Sequence, residues 1–126
     1  MDIKPSFRAS FEARRCLVPA SGFYEWHLHN KEPYYVADQQ NDVMAMAGIW
    51  DRWRNPVTDE VTTSLSIITT NAAGPLSTIH QRMPVILDAK SQAAWLDNDA
   101  EPEKLKALLK PYAKMTIELS DAVMAA

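Results

Sequence analysis

Turn-forming clusters at "PASG", "HNKEP", "QQND" and "RNPVTDE" cut the stretch from Arg15 to Asn71 into short extended segments. Gly, Pro, Asn and Asp each interrupt regular structure for a separate steric reason, so a chain punctuated this often pairs its segments as neighbouring antiparallel strands. Residues 23 to 28 alternate: Tyr24, Trp26 and Leu28 fall on one face, Phe23, Glu25 and His27 on the other. "YYVAD", "VMAMAGIWDRW" and "VTTSLSIITT" follow, the last rich in β-branched residues. The expectation is a four-strand meander in which Gly48 marks a bulge or a close backbone approach. Met44, Met46 and Trp50 share a face of the long strand and are expected in the core, with Trp53 at its exposed end.

Helical signals flank this region. "KPSFRASFEARR" carries Phe7 and Phe11 at i, i+4 with Pro5 near the first turn, which predicts a short helix ending around Arg14. "NAAGPLSTIH" predicts a short helix capped by Thr70 or Asn71, "QRMP" a loop whose Met83 is held extended by Pro84, and "VILD" a short apolar strand. "KSQAAWLD" and "EPEKLKALLK" read as amphipathic helices and "KMTIELS" as a closing strand. The fold class is α+β, a mostly antiparallel sheet with flanking short helices.

At 126 residues, 47% hydrophobic and 23% charged, the chain is expected to form a single ordinary domain over residues 1–126. No run approaches a membrane span, and "MDIKPSFRAS" lacks a signal-peptide layout, so no membrane partner and a cytoplasmic location are expected. The lone Cys16 excludes an internal disulfide and a Cys-rich zinc site. A net charge of -3 gives no general attraction to polyanions. Nucleic-acid contact therefore needs a local patch such as Lys4, Arg8, Arg14, Arg15 and Arg82.

Glu25 is the first chemical candidate, because a carboxylate among aromatic residues is costly if buried unpaired. It is either an ion-paired residue on a half-buried strand or a proton-transfer group. His80 sits at a helix-to-loop junction, where an imidazole of ordinary pKa ~6.5 suits proton transfer, although a lone histidine is more often structural. His27, His29, His80 and Cys16 match no standard zinc spacing, and three glycines form no phosphate loop, so neither metal nor cofactor is expected. Cys16, leading into a strand, reads as a small buried hydrophobe.

Taken together, "KPSFRASFEARRCLVPASGFYEWH", "MAMAGIWDRW" and "SLSIITTNAAGPLSTIHQRMPVIL" resemble the SRAP family of SOS response-associated peptidase-like proteins. The resemblance implies a strongly bent sheet forming a partly open pseudo-barrel. It also implies a DNA-damage role: sensing abasic sites in single-stranded DNA, with an N-terminal cysteine joined to the ring-opened sugar as a thiazolidine and released by autoproteolysis. By the same resemblance Glu25 and His80 are the catalytic pair, Glu25 managing protons on amine and aldehyde and His80 the sugar ring. Arg82 is placed near a phosphate, and Lys4 and Arg8 add to the DNA surface. Location would then be nucleoid-associated.

Family members begin Met-Cys-Gly and carry an "NARAET"-like motif upstream of the matching region, whereas this sequence starts Met1-Asp2. The expectation is a chain lacking the family's N-terminal segment, inactive in thiazolidine crosslinking, and self-associating through an exposed sheet edge and an apolar face including Tyr24, Trp26, Ile49 and Ile67. Cys16 cannot replace the nucleophile, because a thiazolidine needs amine and thiol on one residue. The alternative is a non-catalytic single-stranded-DNA-binding or structural module.

Overall fold

The computed structural model describes residues 5–120. Lys4 and the side chain of Phe7, in the expected Phe7–Phe11 pair, lie outside the described region. Helix α1 (Pro5–Ala13) is followed by β1 (Arg15–Ala20), β2 (Phe23–Trp26), β3 (Pro33–Asp38), β4 (Met44–Arg54), β5 (Val61–Ile67) and β6 (Thr69–Asn71). A single 3-10 turn (Gly74–Thr78) precedes β7 (Arg82–Pro84), β8 (Ile86–Leu87), α2 (Ala89–Leu96), α3 (Pro102–Ala107) and β9 (Met115–Leu119). The class is α+β, and every strand pairing is antiparallel.

The expected meander is broken between its second and third strands. β3 pairs with β2 and β9, while β4 pairs with β1, β5 and β8, so the "QQND" turn crosses between two sheets. The reason is burial. Val36 of β3 and Met44 and Met46 of β4 face one shared core with Leu76, Ile79, Met83 and Met115, which packs the sheets face to face. The other face of β4 points Ala47 and Ile49 into a second core with Phe11, Trp95 and Leu105, roofed by the helices. Ile49 is therefore buried and not part of an uncovered face, whereas Tyr24, Trp26 and Ile67 are exposed. The sheets do not close into a barrel among the described residues.

Gly48 is a close-approach site, since a Cβ there would lie 3.0 Å from both Cys16 Sγ and Val18 Cγ2. Met44 and Met46 are buried, Trp50 is half-buried beneath the Arg52 guanidinium, and Trp53 is exposed. "VTTSLSIITT" is two strands, not one. Ile68 N–H donates to Ala47 O at 2.9 Å and Ile68 O accepts from Val85 N–H at 2.9 Å, so this residue plugs into the core and turns the chain toward β7. That turn draws Thr70 and Asn71 into the β6–β7 ladder, where neither caps a helix. The 3-10 turn that follows has Ala73 at its N-cap without a side-chain bond. "QRMP" is likewise more than a loop, since Arg82–Pro84 forms β7.

Arg15 closes the helical layer. Its guanidinium donates to Phe11 O, Glu12 O, Trp95 O and Asp97 O at 2.6 to 2.8 Å, satisfying orphan carbonyls at the ends of α1 and α2. Asp88 caps α2 by accepting from Ser91 N–H at 2.8 Å. No helix among the described residues is long and apolar enough to cross a membrane.

Candidate functional site

β2 starts tightly against its neighbour. Gly22 lies under the Tyr35 ring, and an added methyl would fall inside the phenol. From there the strand alternates as its sequence predicts: Phe23 and Glu25 are half-buried, while Tyr24 and Trp26 are 44% and 45% exposed. Glu25 registers with Tyr34 across the β2–β3 hairpin.

His80 reaches Glu25 through the core. Leu28 N–H donates to Ile79 O at 2.8 Å, tying the end of the 3-10 segment to the chain beyond β2. His80 N–H donates to Leu76 O at 3.1 Å, and buried Leu76 and Ile79 anchor the segment beside the imidazole. The result brings residues 25 and 80 together: His80 Nε2 lies 3.5 Å from Glu25 Oε1. Their side chains are 28% and 26% exposed, so Glu25 is neither buried unpaired nor freely solvated. This resolves the cost of placing an acid among aromatics.

The tautomer of His80 follows from its partners. Nδ1 lies 3.1 Å from Arg82 N and 3.2 Å from Arg82 O. The amide always carries hydrogen, so Nδ1 of the neutral ring accepts it, leaving the ring hydrogen on Nε2, toward Glu25. On protonation, Nδ1–H finds the Arg82 carbonyl at the same place. Both charge states of the ring thus have a partner, which is the requirement for moving a proton.

Arg82 is exposed at the start of β7. Its guanidinium donates to Asn71 Oδ1 at 3.0 Å and to Thr69 O and Oγ1 at 2.9 and 3.2 Å. These acceptors are neutral, so they hold the group without cancelling its charge, as suits an anion site. Arg8 is exposed on α1, which packs on β1 and β4 and not on the sheet carrying Glu25. Cys16 is half-buried rather than buried, and burial pushes its thiol pKa up, away from a reactive thiolate. Among the described residues no three His, Cys, Asp or Glu side chains gather to hold a metal ion. A cleft of about 530 Å³ lies at the far end of β3, beside Asp38 and Tyr112, and does not include Glu25 or His80.

Sequence reasoning missed Asn71, the side-chain partner of Arg82. Asn71 carries no local signal, because its role depends on an arginine 11 residues away.

A family model described as SOS response associated peptidase (SRAP) matches residues 1–125. The chain belongs to the SRAP family. This SRAP chain is 36% identical over 113 residues to the "Abasic site processing protein YoqW" of Bacillus subtilis (strain 168), covering 86% of this chain and 50% of that protein. It is 34% identical over 139 residues to the "Abasic site processing protein HMCES" of Xenopus tropicalis, covering 92% of this chain and 41% of the relative. A solved protein structure from Bacteroides thetaiotaomicron superposes with a TM-score of 0.89 at 34% identity, over 98% of this chain and 56% of that one. The SRAP chain thus spans about half the length of the curated relatives it matches.

Proposed function

We propose that this SRAP chain acts on abasic sites in single-stranded DNA, with Glu25 and His80 transferring protons at the sugar and Arg82 meeting an adjacent phosphate. The observation that carries the reading is the 3.5 Å approach of His80 Nε2 to Glu25 Oε1, on a family whose relatives are named for abasic-site processing. An abasic sugar is a hemiacetal. Opening it breaks C1′–O4′ and makes C1′=O, so one group accepts the C1′ hydroxyl proton while another gives a proton to O4′. The Glu25 carboxylate and the Nε2–H of the protonated His80 ring supply those two functions, leaving a proton on Glu25 and a neutral ring that keeps Nδ1–H toward Arg82 O. The aldehyde then condenses with a primary amine, and the proton now on Glu25 helps expel water from the carbinolamine to leave an imine.

The test is intact mass after incubation with a single-stranded oligonucleotide bearing one abasic site, with and without borohydride. A reduced one-strand adduct is expected with reductant, its initial rate falling roughly 10²-fold or more in Glu25→Gln and in His80→Gln. Cys16 is expected to contribute no adduct that survives denaturation without reductant, since its nitrogen is in an amide and cannot close a thiazolidine. Equal rates in the parent and both variants would remove the pair from the chemistry.

We infer also that copies of this chain associate through β5. All seven residues of β5 are exposed, the strand pairs among the described residues only with β4, and Leu65 and Ile67 are 54% and 38% exposed. Open strand edges recruit further strands. Light scattering at micromolar concentration is expected to give a mass above that of the monomer, and a monomer throughout would contradict the inference.

A further inference from the structure

We propose that Tyr34 and Leu119 seat the nucleobase next to the abasic sugar, an inference that rests on the DNA reading above. The two residues belong to one row across the sheet: Glu25 registers with Tyr34, and Tyr34 with Leu119. All three side chains therefore lie on the same face. In the preceding row on that face Val36 is fully buried, and the half-buried Phe23 and Ile117 pack against the core. The Glu25 row is where this face emerges. Tyr34 is half-buried and packs against the core edge, and Leu119 is 54% exposed.

Position gives the surface its meaning. The free edge of β2 is approached by the Ile79–His80 segment, with Arg82 beyond it. Tyr34 and Leu119 extend from Glu25 in the opposite direction, at about 5 Å and about 10 Å by the usual strand spacing. A sugar held over Glu25 thus has a cation on one side and an apolar ledge on the other. The cation suits the phosphate. Tyr34, with the His27 ring 6.3 Å away, and Leu119 continue the row beyond Glu25 without a further charged side chain, and an aromatic ring with a leucine suits the face of a base, whose stacking tolerates any base. The seat accordingly selects for a base beside the gap without reading its identity.

Two oligonucleotides test this, each carrying the unreactive tetrahydrofuran analogue: one with a single baseless position between ordinary nucleotides, the other with three baseless positions in a row. Fluorescence anisotropy is expected to show the parent binding the first at least roughly fivefold more tightly. Leu119→Ala, an exposed truncation that leaves the core intact, is expected to lose most of that preference while leaving affinity for the second oligonucleotide unchanged. Tyr34→Leu should do the same. Equal weakening toward both oligonucleotides, or a parent without preference, would overturn the seat while leaving the DNA reading in place. A parent that binds neither would overturn the DNA reading itself.

Discussion

Arg15 and Glu25 are both charged residues on short strands, yet their surroundings use charge in opposite ways. Arg15 spends four donors on carbonyls at 2.6 to 2.8 Å and lies over the Trp95 ring, which in turn meets Phe11 edge-on at 5.6 Å. Glu25 Oε1 meets His80 at 3.5 Å and accepts from Trp26 N–H at 3.3 Å, and the side chain stays partly open to solvent. Saturated, short contacts fix a corner of the fold and leave nothing for a ligand. An unsaturated pair contributes little to stability but keeps capacity for a substrate's protons.

The contrast breaks if stability does not follow it. Trp95→Ala empties the fully buried centre of the helical core and is expected to cost about 3–5 kcal/mol by urea unfolding. Arg15→Met strips the acceptors at two helix ends of their charged donor, with an expected loss of about 2 kcal/mol.

Tyr112→Phe removes the 2.7 Å bond to Asp38 and is expected to cost about 1 kcal/mol at neutral pH. Its pH signature is specific. Burial, then the bond to Asp38, pushes the Tyr112 phenol up to about 12. The folded state therefore holds this proton more tightly than the unfolded one, so its contribution is present below the unfolded pKa of about 10 and is lost as pH rises toward 12. The variant should show a shallower alkaline decline in unfolding midpoints. For Asp38, burial pushes the carboxyl up, but hydrogen bonds from Asn41, Gln40 and Tyr112 and the charge of Lys114 together carry it below its ordinary value. Its contribution is present above the unfolded pKa of about 3.9 and fades as pH falls through the lower folded value.

The smallest expected effect is that of Glu25→Gln or His80→Gln on stability, within about 0.5–1 kcal/mol. A loss as large as that of Arg15→Met would mean that the pair is a structural bond.

Local patterns were legible in the sequence where they concerned a few adjacent residues. Alternation in "FYEW" gave the correct faces, and Pro5 and Pro102 marked the first turns of α1 and α3. Long-range choices were not legible. Pairing of β1 with β4 and of β3 with β9 depends on burying Val36 with Met46 in one core and Ile49 in the other, which no single segment encodes. Thr70 and Asn71 have good cap chemistry, but Ile68 anchored in the core forces them into a ladder instead. Glu25 and His80 stood out through their motifs, since spacing alone left each with an ordinary structural reading. Asn71 and Thr69, which hold Arg82, became visible only with the pairing of β6 and β7.

The most direct measurement of the shared proton-transfer site is a double-mutant cycle on the initial rate of borohydride-trapped adduct with abasic single-stranded DNA, using Glu25→Gln, His80→Gln and the double variant. Residues that act as a unit are strongly non-additive. Each single variant is expected to lose roughly 10²-fold or more, with the double variant no slower than the worse of the two. Losses that multiply would show that Glu25 and His80 act independently and contradict a single site.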